Sequence, residues 1–229
     1  MSNIIVTGGS SGLGALIVYA LMCDGHRVYN YDLENGDDVG NPNLIKAKES
    51  FSNQDIEILI NCAGINKIDY LENVTEGDWN DVMEINAKGI FLMSQACLPD
   101  LIKTKGTILN ITSNAAWSPM TSSLAYNASK GAAHIMTLQL ARELTKRHGI
   151  TVFGVAPNKL KGTLMSRSID QQVVRTRGWD LETAQKYQLA GLLAGEETDP
   201  KEVAGLIAYL LQSKQRHKFL TGTILPYGL

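Results

Sequence analysis

The stretch from Asn3 to His26, NIIVTGGSSGLGALIVYALMCDGH, decides the fold. Asn3 to Thr7 is a short apolar run broken by Gly8, Gly9, Gly12 and Gly14, and the residues that follow carry apolar side chains at helical spacing. It reads as strand, tight turn, helix. Glycines in such a turn adopt positive φ or let a ligand lie against the backbone, and the first turn of the helix offers unpaired N–H groups to a pyrophosphate. GGSSGLG departs from the plain GxGxxG spacing, so an ordinary glycine turn is the competing reading. The next strand, Arg27 to Tyr31, ends at Asp32. A carboxylate there accepts hydrogen bonds from the adenosine ribose hydroxyls of NAD and repels a 2′-phosphate. No Arg or Lys occupies Ser10, Ser11 or Leu33, so NAD is the expected cofactor, although an Asp after a strand also serves as turn chemistry.

Outward from this unit, further apolar strands are expected at Ile56 to Asn61, Gly106 to Ile111, Ile150 to Ala156 and Phe219 to Leu225. Helices are expected from Thr75 through Ile102, from Ser123 to Lys146, and from Asp199 through DPKEVAGLIAYLLQS, with Thr75 and Asp78 forming a partial capping box. Strands alternating with helices imply an α/β fold: a doubly wound, mostly parallel sheet with helices on both faces in three layers. Between Leu33 and Ser52 there is room for a short third strand near Leu44 to Ala47, and only about Glu49 to Gln54 is left for the next crossover helix, which is expected to be shortened or missing. The 229 residues form one expected domain. From Asn158 to Glu197 the chain sets Met165, Trp179, Tyr187 and Leu189 among charges, and reads either as a mobile cap over a substrate or as a helical excursion fixed to the surface.

The strand ends carry the glycine turn, Asp32, Asn61-Cys62-Ala63-Gly64, Ser113 and Pro157, and all converge on one edge of such a sheet. Ala63 and Gly64 let the backbone pass close to a flat ligand. Chemistry concentrates in Thr112 to Lys130, TSNAAWSPMTSSLAYNASK. Tyr126 and Lys130 are four apart and share a helix face. An ammonium beside a phenol favours the phenolate, which brings a tyrosine towards proton exchange near neutrality. Alone, the pair also fits an ordinary surface helix; Ser113, placed to bond the same reacting oxygen, and the motifs upstream favour a catalytic role. Ala125, Ala128, Ala132 and Ala133 allow close backbone packing and suit association between subunits.

A formal charge of -2, from 21 basic and 23 acidic side chains, gives no reason to expect a nucleic-acid partner. The Lys159, Lys161, Arg167 run reads as a solvated loop. Cys23, Cys62 and Cys97 lack metal-ligand or CxxC spacing and are expected to pack as small hydrophobes, so no metal site is expected. With no signal-type leader and no apolar run of about 18 residues, the expectation is a soluble, cytoplasmic protein that does not enter membranes.

Taken together, these motifs resemble the short-chain dehydrogenase/reductase family over nearly the whole chain. Its TGxxxGxG stands as Thr7-Gly-Gly-Ser-Ser-Gly12-Leu-Gly14, its NNAG as Asn61-Cys62-Ala63-Gly64, its helix asparagine as Asn86, its serine as Ser113 and its YxxxK as Tyr126 to Lys130. The resemblance implies reversible hydride transfer between NAD(H) and a small secondary alcohol or ketone. Tyr126 would be the acid/base, Ser113 would orient the oxygen, Lys130 would hold the ribose and lower the tyrosine pKa, and Asn86 would hold a relay water. It implies cofactor contacts at Gly8, Ser10, Ser11, Gly12, Leu13, Asp32, Leu33, Asn61, Ala63, Gly64, Tyr126, Lys130, Pro157 and Leu160, and a homodimer or homotetramer. Three departures stand out: Pro157-Asn158-Lys159 in place of PG, with Thr163 displaced by one; a short segment before Ile56; and the ending Gly222-Thr-Ile-Leu-Pro-Tyr-Gly. These leave room for a different class, an NAD(H)-binding sensor or scaffold with little turnover. Asn114, Ala115, Trp117, Asn158, Met165 and Trp179 are the expected substrate-wall residues, with Pro119 at the rim, and Lys159 hints weakly at an anionic group.

Overall fold

Six parallel strands form one sheet in the computed structural model, which describes residues 1–41 and 55–228. They are β1 (Asn3–Thr7), β2 (Arg27–Tyr31), β3 (Ile58–Asn61), β4 (Thr107–Ile111), β5 (Thr151–Pro157) and β6 (Ile224–Tyr227), in the spatial order β2-β1-β3-β4-β5-β6. Among the described strands the chain starts at β1, steps outward to β2, then returns across β1 to β3, so the ends of β1 and β3 flank the switch in direction where such folds bind ligands. Register keeps the motif-bearing ends level: Thr7 pairs with Tyr31 and Asn61, and Asn61 with Asn110. The expected strand at 44–47 and shortened helix at 49–54 lie outside the described residues.

Successive strand residues point to opposite faces, which divides the apolar set into two cores. Ile4, Val6, Ile58, Ile60, Leu109, Ile111, Phe153 and Val155 pack beneath α1 (Gly12–Cys23) and α7 (Pro200–Leu211). Ile5, Leu59, Ile108 and Val152 pack beneath α3 (Gly89–Thr104) and α4 (Leu124–His148). Leu59 and Ile60 are both 0% exposed, and full burial of each contributes about 1.5–3 kcal/mol. Both faces being covered explains why these strands read as continuous apolar runs instead of alternating ones.

Several sequence expectations are corrected. The helix starting after Thr75 is not uniform: α2 (Glu76–Met83) passes through a π turn at Glu84–Lys88 before α3. The Thr75–Asp78 box is complete, with Asp78 N–H donating to Thr75 Oγ1 at 3.0 Å and Thr75 N–H to Asp78 Oδ2 at 3.3 Å. The last strand begins at Ile224, because Lys218–Leu220 forms a 3-10 turn that leaves Phe219 exposed. Pro226 is tolerated in β6 because that strand is an edge among the described residues. Ala125 and Ala133 are buried inside the chain, so that part of the small helical face is taken up by its own core. Cys97 is buried and Cys62 half-buried, but Cys23 is exposed.

α8 (Lys214–His217) turns His217 inward, 2% exposed. Its Nε2 lies 2.9 Å from Thr107 Oγ1 and its Nδ1 3.0 Å from Leu210 O, and the ring stacks on Phe153. With Nδ1–H donating to the carbonyl, Nε2 is the acceptor for the threonine hydroxyl, so the neutral tautomer fits. Burial pushes the His217 pKa down from about 6.5. The unfolded chain therefore binds the proton more readily. The stability this gives is complete above about pH 6.5 and is lost as pH falls towards the folded-state pKa. Urea midpoints should drop between pH 7.5 and 5.5, and His217→Gln should flatten that dependence; an unchanged slope would remove His217 from the acid response.

Candidate active site

Two turns meet at the switch point. A Cβ on Gly8, whose φ is +68, would come within 2.7 Å of Ala63 Cα, so only glycine lets the first turn lie against the turn after β3. Thr7 Oγ1 locks the same contact by accepting from the N–H groups of Cys62 at 3.0 Å and Ala63 at 3.1 Å. At Gly12, φ +52, a Cβ would meet nothing within 4 Å, and Ser11, the N-cap of α1, makes no side-chain cap bond. The first turn of α1 thus lacks a side-chain cap and has room beside Gly12, which fits a bound pyrophosphate. Asp32 stands at the adjacent strand end. Its Oδ2 accepts from Ser10 N–H and its Oδ1 from Glu34 N–H, both at 3.0 Å. Each carboxylate oxygen keeps a lone pair for a ribose hydroxyl. Leu33 is exposed beside it. Among the described residues no group of three or more His, Cys, Asp or Glu could hold a metal ion.

Asn61 behaves differently from its neighbours. Its Nδ2 donates to Asn110 Oδ1 at 2.8 Å, and Asn110 Nδ2 donates to Thr137 Oγ1 at 2.9 Å. The side chain is a strut joining β3, β4 and α4. Pro157 is buried in β5, and Leu160 packs on the core beneath α1 and α7 and bridges to Thr198.

The structure brings Asn86, Ser113, Tyr126 and Lys130 together. Asn86, 1% exposed, sits on the π turn, a rare geometry that re-aims side chains at functional sites. Its Oδ1 accepts from Ile65 N–H at 2.8 Å, and its Nδ2 donates to Ile65 O at 2.9 Å and Ser129 Oγ at 3.0 Å. Ser129 in turn donates to Tyr126 O at 2.8 Å. A Cβ placed on Gly64 would lie 3.4 Å from Asn86 Oδ1 and 3.7 Å from Lys130 Nζ, so the three groups surround one point. Ser129 was missed in the sequence, where a serine between an alanine and a lysine carries no signal of its own.

The electrostatics correct one expectation. Lys130 Nζ, 5.7 Å from the centroid of the Tyr126 ring, donates to Ile111 O at 3.0 Å. Burial dominates both groups: it raises the Tyr126 pKa, opposed by a hydrogen bond with Ser113, and lowers Lys130 to about 8, partly offset by Cys62. The protein's own groups therefore hold the phenol protonated instead of driving it to phenolate.

Lys159 is also not a solvated lysine. It is buried with Asp170 and Glu197, bonded to Asp170 and 2.8 Å from Glu197 Oε1. Burial alone would raise the Asp170 pKa; hydrogen bonds from Lys159, Gln185 and Gln188 outweigh it and hold the carboxyl low. This network ties the end of β5 to α5 (Leu164–Arg177) and α6 (Leu181–Ala190). Thr163 caps α5 by accepting from Ser166 N–H at 3.0 Å. Gln172 Oε1 accepts from Ile68 N–H at 2.8 Å, and Ile68, Val173 and Ala184 share a small core, so both helices are anchored to the loop after β3. Of the expected wall residues, Asn114 and Ala115 adjoin Ser113, Trp179 packs edge-on to Tyr187 at 5.1 Å under Arg177, and Trp117 is exposed at the rim against His134.

Sheet order, the dinucleotide-type turn and the buried Tyr/Lys pair define a Rossmann-like α/β protein. The chain belongs to the short-chain dehydrogenase/reductase family of NAD(P)-dependent oxidoreductases acting on CH–OH and keto groups, the short chain dehydrogenase pattern matching residues 37–174. It is 30% identical to sorbitol-6-phosphate 2-dehydrogenase of Klebsiella pneumoniae, over 96% of this chain and 91% of that protein. It is likewise 30% identical to 3-oxoacyl-[acyl-carrier-protein] reductase FabG of Vibrio cholerae, over 96% and 93%. Among solved structures it is similar to an actinorhodin polyketide ketoreductase with NADPH, with a TM-score of 0.87 and 26% identity, covering 98% of this chain and 95% of that one. Among the described residues, no helix is long and apolar enough to cross a membrane.

Removing the one cation of the Asp170–Glu197 network leaves two buried carboxylates facing each other. Lys159→Met should cost about 3–5 kcal/mol in urea unfolding, and a loss under about 1 kcal/mol would mark the network as solvated.

Proposed function

We propose that this chain is an NAD(H)-dependent oxidoreductase that moves a hydride reversibly between the dinucleotide and a small secondary alcohol or ketone, with Tyr126 as acid and base. One observation carries the reading: a buried tyrosine, bonded to Ser113, lies close to buried Lys130 and Asn86 beside a glycine turn that suits a pyrophosphate. The relatives' names span a sugar phosphate and an acyl carrier, so they leave the substrate open.

When bound, the nicotinamide supplies or accepts the hydride. In carbonyl reduction Tyr126 gives its phenol proton to the oxygen as the carbon takes the hydride, and Ser113 orients and stabilises that oxygen. Burial keeps Tyr126 protonated at neutral pH, which suits it as the acid. Lys130 spends one N–H on Ile111 O and keeps two for ribose hydroxyls. Alcohol oxidation needs the phenolate, and a cation bound beside the phenol brings its pKa down. Asn86 holds the 64–65 backbone opposite Lys130, where a proton path outward would start. Gly8, Ser10, Ser11, Gly12 and Leu13 would cradle the pyrophosphate, Asp32 and Leu33 the adenosine side, and the backbones of Asn61, Ala63, Gly64, Pro157 and Leu160 the remainder. In this reading residues 1–229 are one domain, 158–197 cover the substrate, and the chain works in the cytoplasm as a homodimer or homotetramer.

Tyr126→Phe should lower turnover by about 10²–10⁴-fold while NADH fluorescence titration gives an unchanged affinity; near-normal turnover would remove the acid/base role. Because burial raises the tyrosine pKa, oxidation rates should climb with pH above neutrality while reduction persists at pH 7. NADH should bind at least about tenfold more tightly than NADPH, equivalent to about 1.4 kcal/mol, and Asp32→Ser should narrow that gap. A wild-type preference for NADPH would overturn the role given to Asp32.

A further inference from the structure

Residues of β2 alternate between two surroundings. Tyr29 and Tyr31 pack with the core beneath α3 and α4, and Val28 packs with the core beneath α1 and α7. Asn30 shares the Val28 side, where the alternation calls for an apolar residue. Its carboxamide lies directly under the glycine turn instead. A Cβ added to Gly9 would collide with Asn30 Oδ1, and would lie 2.9 Å from Asn30 Cγ and 2.8 Å from Val18 Cγ2 on α1. Asn30 Nδ2 donates to Ser10 Oγ at 3.0 Å, Gly8 N–H donates to Tyr31 O at 2.9 Å, and Ser10 N–H donates to Asp32 Oδ2 at 3.0 Å. Three successive residues at the end of β2 thus grip the turn. Asn35 Nδ2 donates to Asn30 O at 3.2 Å and steadies the backbone of the first of them.

The bond from Asn30 has a direction. Asn30 Oδ1 is buried with no hydrogen-bond partner among the described residues, so the carboxamide meets the turn through its donor alone. The reverse amide orientation would bury two unpaired N–H groups in place of one unpaired carbonyl oxygen. With Nδ2 occupying a lone pair of Ser10 Oγ, the serine cannot donate to Asn30, and its hydrogen is left for a different acceptor. Ser10 is half-buried and bonded through its backbone to the carboxylate at the strand end, which places that donor on the Asp32 side of the turn. Holding a hydroxyl in one rotamer before binding lowers the ordering cost that a ligand meets. We infer that Asn30 is a positioning residue for the dinucleotide, one that sets the Ser10 hydroxyl as a donor to an oxygen on the adenosine half of the cofactor. Asn30 acts through Ser10 and touches no reacting atom. The inference rests on the reading of the glycine turn as the dinucleotide site, and it holds for NADH and NADPH alike.

The test titrates the full chain with whichever of NADH and NADPH binds more tightly, followed by the fluorescence of the reduced nicotinamide. Asn30→Val suits a strand face turned towards a helix, and Asn30→Ala adds no bulk beneath Gly9. Each should raise the Kd by about fivefold, and Ser10→Ala should raise it by about tenfold, the loss of one hydrogen bond to the ligand. In the Ser10→Ala background either Asn30 substitution should change the Kd by less than about twofold, because the two residues act in series. Displacement of the bound cofactor by ADP should weaken in the Asn30 variants by the same factor as the Kd, and displacement by nicotinamide mononucleotide should not change. An unaltered Kd in both Asn30 variants, an equal loss with and without Ser10, or a loss shared by the mononucleotide overturns the positioning role and leaves the cofactor site standing. A wild-type chain that binds neither NADH nor NADPH overturns the dinucleotide reading, and this inference falls with it.

Discussion

One buried carboxamide holds the site together. Asn86 bonds both backbone groups of Ile65 and the hydroxyl of Ser129, so it joins the loop after β3 to α4 at the level of Tyr126 and Lys130. It reaches both because the helix carrying it is locally widened into a π turn at Glu84–Lys88. Without that clamp the glycine turn, the Ala63–Gly64 passage and the Tyr/Lys helix would each keep their local shape but lose their common register.

Burial then sets the chemistry in this region. Taking Tyr126 and Lys130 out of water moves both towards their neutral forms, upwards for the phenol and down to about 8 for the ammonium. An exposed pair at the same spacing would behave oppositely, with the ammonium favouring phenolate. Desolvation is the largest cause for both groups, with Lys130 Nζ 5.7 Å from the centroid of the Tyr126 ring. The same constraint governs Lys159: buried, it needs Asp170 and Glu197, and in meeting that need it anchors α5 and α6 near the sheet edge. Among the described residues the buried carboxamide atoms of Asn66 and Asn158 find no hydrogen-bond partner, which costs stability.

Much of this could be read directly from residue order. Apolar runs ending in glycine or polar residues placed five of the six described strands to within a few positions, and alternation with helices gave the parallel sheet. The exception was the last strand, where apolar Phe219 and Leu220 resembled strand residues but are held in a 3-10 turn. Asn86 looked like a poor helix former because no local pattern announces a π turn. Lys159 looked solvated because its partners come from 11 and 38 residues further along the chain.

By itself the sequence determined the strand–turn–helix start, the sheet type and the residues proposed to react, since glycine spacing, apolar periodicity and a four-residue Tyr–Lys interval are local properties of the chain. Only the tertiary structure decided the protonation states, the fate of each asparagine and the anchoring of the segment after β5. Those depend on burial and on partners distant in sequence: Asn61 finds Asn110 and becomes a strut, Asn86 finds Ile65 and becomes a clamp, and the Asn66 carboxamide finds none among the described residues.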